Sequence, residues 1–179
     1  MPADPSPNEI RHQGYSLPYS SEAGDLRFNV MAIVAVISLG LYAWFLYSAL
    51  LVVGVATGCT AYYFYPLLEK KPRIGANQYG VFIDGFGVIA WRGIGEISRA
   101  TYVSRLEEYN ELHFKLIQPL ESALLADWRK MPVWRLLMKL PWSMTYDNVV
   151  RIKLEPFAPP PDEIVRTFQR MQKFYGGRR

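Results

Sequence analysis

Residues 28–68 read FNVMAIVAVISLGLYAWFLYSALLVVGVATGCTAYYFYPLL and carry no charge over 41 consecutive positions. As a single helix this run would be about 62 Å long, roughly twice the ~30 Å hydrocarbon core of a bilayer. Two helices of about 18–20 residues each fit that thickness, whereas one tilted helix does not. The run therefore predicts a transmembrane hairpin, with spans near Asn29–Leu46 and Ala49–Pro66.

The flanks of this hairpin indicate its orientation. An aromatic belt at Tyr62–Tyr65 precedes the basic residues Lys70, Lys71 and Arg73, whereas the tip around Trp44 has no Lys or Arg. Because basic residues concentrate in cytoplasmic loops, we expect both termini in the cytoplasm. A signal peptide is rejected, because four acidic residues precede the run and its length exceeds that of an h-region.

Beyond the hairpin, apolar residues recur with the period of a β-strand. Asp84-Gly85 lies between two apolar runs and predicts a tight β-turn. Leu112, Phe114 and Leu116 alternate with polar residues, and Val149–Leu154 repeats that pattern. Half-buried strands of this kind indicate an antiparallel sheet of about five to seven strands with one wet face.

The end of the chain returns to helical spacing. An apolar stripe begins after Pro159-Pro160-Pro161 and stops at Gly176-Gly177, which predicts an amphipathic helix that covers the sheet. The chain thus divides into a flexible cytoplasmic tail (1–27), the hairpin (28–68) and a cytoplasmic α+β domain (69–179) with an insertion at 119–142. The tail is predicted to be flexible because its Pro-, Ser- and Gly-rich composition lacks apolar periodicity.

Three segments of the α+β domain carry a resemblance to a known superfold. They are NQYGV at 77–81, VIAWRGIGEI at 88–97, and the strand Val149–Leu154 leading into the helix Asp162–Tyr175. In this order they resemble small bacterial inner-membrane proteins in which a two-helix anchor precedes a pleckstrin-homology-like (PH-like) domain. The resemblance implies an antiparallel sheet or partial barrel capped by a C-terminal helix. It implies no functional residues, since fold alone does not establish function.

Basic and aromatic residues mark a candidate lipid-contact site. Lys70, Lys71 and Arg73 abut the predicted span, where each cation is worth about 1 kcal/mol against anionic lipid. Segment 128–142 adds Trp128, Arg129, Lys130, Trp134, Arg135, Lys139 and Trp142. Such a segment is typical of an interfacial helix pair with its basic side toward headgroups. The alternative is a satellite core under the sheet, built from its tryptophans and leucines, and both interpretations stay open.

A second candidate site lies inside the hairpin. Gly54 and Gly58 form a GxxxG motif, which lets helices approach closely. The motif has two interpretations at this stage. It packs the hairpin on itself, or it packs against a helix of another protein.

The composition disfavours most catalytic chemistry. His12, His113 and the single Cys59 cannot form a zinc site or a Cys/His nucleophile pair, and no phosphate- or dinucleotide-binding glycine motif occurs. We therefore predict neither metal nor cofactor and no catalytic residue. Nucleic acid is not expected as a partner, because the positive charge of the +4 chain lies beside the predicted membrane.

These features predict a non-catalytic, membrane-anchored adaptor at the bacterial inner membrane, serving as an accessory or assembly subunit of a larger complex. Its expected partners are the lipid bilayer and other membrane protein subunits, and a homo-oligomer is left open. The alternatives are a sensor of anionic lipid headgroups acting through segment 119–142 and, third, an enzyme whose site has no sequence signature.

Overall fold

The computed structural model describes residues 14–104, 107–145 and 147–177, which form two units. The helical unit comprises Tyr19–Lys70 and Pro132–Lys139, and the sheet unit contains the other described residues. The helices are α1 (Ser21–Phe45), α2 (Ser48–Phe64), α3 (Leu120–Ala123), α4 (Val133–Leu136) and α5 (Pro161–Gly176). The strands are β1 (Tyr15–Pro18), β2 (Pro72–Ala76), β3 (Gly80–Ile83), β4 (Gly87–Ala90), β5 (Ile94–Ser104), β6 (Glu107–Leu116), β7 (Leu124–Asp127), β8 (Trp142–Thr145) and β9 (Val149–Lys153).

The predicted pair of apolar helices is present in the helical unit. The segments Phe28–Phe45 and Ser48–Leu67 are each long and apolar enough to cross a membrane. Gly54 lies against Leu39, and Gly58 lies nearest to Ala35. Because residues later in α2 face residues earlier in α1, the two helices run antiparallel as a hairpin.

The tip of the hairpin turns without glycine or proline. Leu46 ends α1 in the left-handed region, with φ of 56°, and its N–H donates to the carbonyl oxygen of Tyr42 at 2.7 Å. This bond satisfies one of the carbonyls that a helix end leaves unpaired. Leu46 and Tyr47 are thus the whole connection between the helices, and the absence of a turn motif in the sequence did not prevent a tight link.

The sheet unit contains two antiparallel sheets. Their strand orders are β1-β2-β3-β4-β7 and β5-β6-β9-β8. The predicted turn at Asp84-Gly85 joins β3 to β4, and Gly85 has the positive φ (73°) that few other residues adopt. The strands predicted from alternation are confirmed as β6 and β9, with Leu112, Phe114, Val150 and Ile152 buried.

The prediction of a flexible tail is wrong for the part of it that the structure describes. Residues 15–18 form β1, which pairs with β2 in the register Tyr15↔Ala76 and Leu17↔Ile74. The backbone of β1 finds its partner more than 50 residues later in the chain, so composition alone gave no signal for it. The first 13 residues of the predicted tail lie outside the described residues.

The C-terminal helix α5 covers the sheet unit as predicted. Phe168 is fully buried and packs edge-on against Phe114 of β6 at 5.6 Å and Tyr15 of β1 at 5.8 Å between ring centroids. The side-chain amides of Gln169 and Gln172 donate to the carbonyl oxygens of Ile97 and Ile94 in β5, at 2.8 and 3.0 Å. The helix therefore contacts both sheets and covers the first half of the β5 edge.

The number of strands exceeds the prediction. Nine strands occur within the described ranges, against the predicted five to seven. The additional strands include β1 and two four-residue strands, β7 and β8, which flank the middle of the 119–142 segment. This segment was predicted as two helical pieces, yet only α3 and α4, of four residues each, are helical. Pairing with distant strands outweighs local helix preference here.

Candidate membrane-contact site

The glycine motif packs the hairpin on itself. A Cβ atom at Gly54 would lie 2.7 Å from the Leu39 side chain, so only glycine allows this approach. A Cβ atom at Gly58 would meet Ala35 at 3.9 Å, which is ordinary contact. Gly54 therefore packs tightly against α1, and Gly58 lies where the helices have more space. The geometry supports the first of the two interpretations of the GxxxG motif.

The segment Pro132–Lys139 is attached to the aromatic belt of α2. The Tyr62 hydroxyl donates to the carbonyl oxygen of Trp134 at 2.8 Å, and the Lys139 backbone N–H donates to the carbonyl oxygen of Tyr63 at 3.0 Å. The Lys139 Nζ atom lies 5.7 Å from the centroid of the Phe64 ring, within the range of a cation–π contact. Two hydrogen bonds and one ring contact thus hold this segment at one end of the hairpin.

Apolar side chains of this segment face outward. Val133 is 74% exposed and Trp134 is 57% exposed, and Leu137 is exposed as well. Arg135 and Lys139, which are half-buried, supply the positive charge of the segment. An exposed Trp beside aliphatic and basic residues is the composition of an interfacial segment.

The other two tryptophans of the 119–142 segment lie in the sheet unit. Trp128 packs against Phe82 and Val88, and its backbone N–H donates to the carbonyl oxygen of Phe86 at 3.1 Å. Trp142 in β8 packs edge-on against Phe86 with a centroid distance of 4.8 Å. The structure therefore divides the predicted cluster: Trp128 and Trp142 pack in the sheet unit, as the satellite-core alternative expects, whereas Trp134 is exposed in the helical unit.

The predicted lipid contact of Arg73 needs correction. Arg73 in β2 is only 3% exposed, and its Nη1 atom donates to the buried Asp84 carboxylate. A buried guanidinium bound to a carboxylate offers no surface to a headgroup. Arg73 is close to Lys70 and Lys71 in sequence, but in the structure β2 is buried from Arg73 to Ala76. Lys70 and Lys71 are exposed.

The α4 segment (Pro132–Lys139) belongs to the helical unit, whereas Arg129 and Lys130 belong to the sheet unit. The Arg129 side chain donates two hydrogen bonds to Asp127, at 2.9 and 2.7 Å, and its backbone N–H donates a third at 2.9 Å. These bonds from Arg129 lower the pKa of Asp127 from 3.8 to about 2, and the same hydrogen bonding raises the pKa of Arg129. The Arg129 guanidinium is therefore already bound to the Asp127 carboxylate at the end of β7. The adjacent Lys130 is exposed.

An apolar groove of about 640 Å³ runs along the hairpin, and the sequence did not predict it. It begins where α1 and α2 meet and ends at the Pro132–Lys139 segment. Its lining residues come from α1, α2 and the turn after α4: Leu39, Gly54, Val55, Gly58, Cys59, Thr60, Tyr62, Tyr63 and Leu137. Only the glycine spacing pointed to this position, and it did so without indicating a cavity.

Titratable residues form no metal-binding group within the part of the chain that the structure describes. His113 contacts Glu111 through Nε2 at 3.1 Å on the outer face of the second sheet. The strand register places Ser98 of β5 opposite His113.

Comparison with models of protein families, with curated protein sequences and with solved structures finds no match to this chain. The function proposed below is therefore argued from the chain's own residues.

Proposed function

We propose that this chain is a non-catalytic adaptor of the bacterial inner membrane and an accessory or assembly subunit of a larger membrane complex. Its hairpin would span the bilayer with both termini in the cytoplasm, and its sheet unit would be a PH-like domain that binds protein partners. One observation carries the proposal: the strand before the hairpin pairs with the strand after it.

This pairing supports a domain that works close to the membrane. Two residues, Tyr19 and Ser20, connect β1 to α1, and a short 3₁₀ turn, Tyr65–Leu67, precedes β2 by four residues. Because β1 and β2 are neighbours, both ends of the hairpin connect to the same sheet, which favours an exit from the bilayer on one side. Connections this short give little of the reach that a flexible linker provides. A subunit that touches other membrane proteins needs proximity to the bilayer more than reach.

The test is mass spectrometry of the full chain purified in mild detergent. A stoichiometric protein partner supports the adaptor, and a chain that purifies alone contradicts it. Two variants at opposite ends of the β5–β6 ribbon, Val103→Asp and Ile117→Asp, form a matched pair, because both side chains are strongly exposed. Loss of the partner from one variant only locates the binding surface, and the other serves as its control.

The α4 segment favours a second candidate function, a sensor of anionic headgroups. It presents exposed Val133, Trp134 and Leu137 together with Arg135 and Lys139, and it is hydrogen-bonded to the aromatic belt of α2. Apolar burial and attraction of cations to anionic lipid would act together on such a segment. A headgroup interaction weakens as ionic strength rises, whereas a packed protein interface does not.

Tryptophan quenching by brominated phospholipid tests the sensor. In liposomes, the full chain is compared with Trp134→Phe and with the matched control Trp128→Phe, which alters a residue packed on Phe82. We expect Trp134→Phe to remove a quenched component and Trp128→Phe to remove an unquenched one. Equal quenching of both variants would exclude lipid contact at α4, and salt-independent quenching would exclude a headgroup sensor.

A further inference from the structure

We propose that the apolar groove on the hairpin binds one acyl chain of an anionic phospholipid, with the phosphate held at the α4 end. The inference rests on the proposed insertion of the hairpin into a bilayer. It assigns a ligand to a cavity that the adaptor role does not use, and it shares Leu137, Arg135 and Lys139 with the sensor role. We call this cavity the acyl groove; its lining is the set of residues given above, from Leu39 to Leu137.

The acyl groove has the length of one leaflet. Along α2 it extends from Gly54 to Tyr63. At 1.5 Å per residue this distance is about 14 Å, and half of a ~30 Å hydrocarbon core is about 15 Å. The groove therefore starts about 5 Å on the tip side of the middle of the predicted span and ends at the aromatic belt. A lipid chain anchored at that belt would cover the same distance.

The walls of the acyl groove suit hydrocarbon. Gly58 contributes no side chain, and the space above it has Ala35 as its nearest neighbour at 3.9 Å. The hydroxyl of Thr60 donates to the carbonyl oxygen of Ala56 in its own helix at 2.9 Å. This bond satisfies the donor locally, as a membrane interior requires. The Thr60 hydroxyl is thus satisfied within α2, and most of the other side chains that line the groove are apolar.

The groove is too small to enclose a helix of another protein. A cylinder of helix about 10 Å wide fills about 420 Å³ per 5.4 Å turn, so a 640 Å³ groove holds about one and a half turns. A spanning helix of about 20 residues would pack only across the opening of the groove, whereas a slender acyl chain can lie within it.

Charge at the belt end selects the headgroup. The stretch Pro132–Lys139 contains Arg135 and Lys139 and no acidic residue. Lys139 lies against Phe64 at the level of the belt, and its backbone is bound to Tyr63, a lining residue of the groove. Cations at this depth attract the phosphate of a lipid whose chain lies in the groove. An anionic headgroup such as phosphatidylglycerol complements this charge better than zwitterionic phosphatidylcholine.

Native mass spectrometry of the full chain tests the inference. The purified chain is mixed with phosphatidylglycerol or phosphatidylcholine, and the retained lipid is counted. We expect one retained phosphatidylglycerol per chain and at least tenfold less retention by Gly58→Leu, whose side chain enters the groove. The matched control is Gly40→Leu, the same change at a position with open space around it. Equal retention by both variants would overturn the groove assignment, and equal retention of the two lipids would overturn the headgroup assignment.

Alkaline extraction separates this inference from the proposed anchoring. If wild type and Gly58→Leu both stay in the membrane pellet, a loss of lipid in the variant concerns the groove alone. If wild type itself is extracted, the anchoring fails, and the acyl groove fails with it. A polypeptide bound in place of lipid would also overturn the inference, because it would show that a partner helix occupies this face.

Alkylation of the native cysteine is an independent measurement that requires no groove variant. Cys59 lines the groove, is exposed and is the single cysteine of the chain. We expect phosphatidylglycerol to slow its reaction with a maleimide at least fivefold relative to detergent alone. The control is Cys59→Ser combined with Val52→Cys, an exposed position outside the groove, where lipid should give no specific protection. Unprotected Cys59 would contradict occupation of the groove.

Discussion

The two units of this chain place their apolar side chains in opposite environments. In the helical unit, Val36 is 72% exposed and most side chains of the spans face outward. In the sheet unit, Phe82, Phe114 and Phe168 are fully buried. Burial of apolar surface stabilises the sheet unit in water. The helical unit leaves such surface uncovered, which fits a hydrocarbon environment and would cost solubility in water.

The two units also differ in where the partners of their polar groups come from. The threonine hydroxyls of α2 donate to carbonyl oxygens of their own helix, as Thr57 does to Val53 at 2.8 Å. The sheet unit instead buries the Arg73–Asp84 pair, whose partners come from separate strands and turns. Self-satisfied helices tolerate lipid, whereas a buried ion pair depends on long-range packing. The proposed insertion of the hairpin into a bilayer accounts for this difference between the units, and the following predictions test it.

The largest expected effect comes from placing charge on the exposed face of α1. Ile33→Arg combined with Val36→Arg should abolish membrane retention, because each arginine near a span centre costs about 2.5–3.5 kcal/mol on insertion scales. Alkaline extraction of membranes measures the retained fraction. Leu26→Arg is the control, since Leu26 is equally exposed but precedes the span. Unchanged retention of the double variant would contradict contact of this face with lipid, and extraction of wild type itself would contradict insertion of the hairpin.

A second prediction concerns the buried ion pair of the sheet unit. Asp84→Ala should destabilise this unit by about 3–5 kcal/mol, because it leaves the Arg73 guanidinium buried without its carboxylate. Thermal unfolding in detergent, followed by circular dichroism in the β-sheet region, measures the loss.

The exposed pair Arg99–Asp162, with N and O atoms 2.5 Å apart, is the control for this measurement. Asp162→Ala should change stability by only about 0–1 kcal/mol, since solvent screens the pair. Similar losses in the two variants would show that burial of Arg73 and Asp84 is not what makes their pair important.

The two halves of the tryptophan cluster should differ in stability. Trp142→Ala should cost about 2 kcal/mol, somewhat less than the 3–5 kcal/mol of a fully buried aromatic, because Trp142 packs on Phe86 but is half-buried. Trp134→Ala should leave the unfolding of the sheet unit unchanged, because Trp134 is exposed and belongs to the helical unit. Thermal unfolding of both variants in the same detergent provides the comparison. Equal losses of stability would indicate that Trp134 contributes to the stability of the sheet unit.

The smallest effect is the pH dependence of Asp127. Its pKa is lowered to about 2 by Arg129, so the pair stabilises the folded state above the unfolded pKa of 3.8 and loses this contribution as the pH falls toward 2. Asp127→Asn should therefore reduce stability by less than about 1 kcal/mol at pH 7, because the pair is solvent-screened. The difference between variant and wild type should vanish near pH 2. A difference that persists at pH 2 would indicate a packing effect instead.

Much of the fold was predictable because its signals are local. The lack of charge over residues 28–68 predicted both long helices, and alternation predicted β6 and β9. The candidate site was less predictable. Trp128, Trp134 and Trp142 are close in sequence and chemically alike, yet they separate between two units. Trp134 lies in the segment that is hydrogen-bonded to α2, whereas Trp128 and Trp142 pack on residues of the sheet unit. The PH-like character of the sheet unit and its adaptor role stay predictions.

The sequence by itself determined the two apolar helices, the antiparallel strands around Asp84-Gly85 and the amphipathic helix α5. Hydrophobic periodicity and the absence of charge act over a few residues and need no partner elsewhere in the chain. Only the tertiary structure decided that residues 15–18 form a strand, that Arg73 is buried and that α1 and α2 leave a groove between Gly54 and Tyr63. Each of these depends on contacts between distant segments, whose energies no local pattern records.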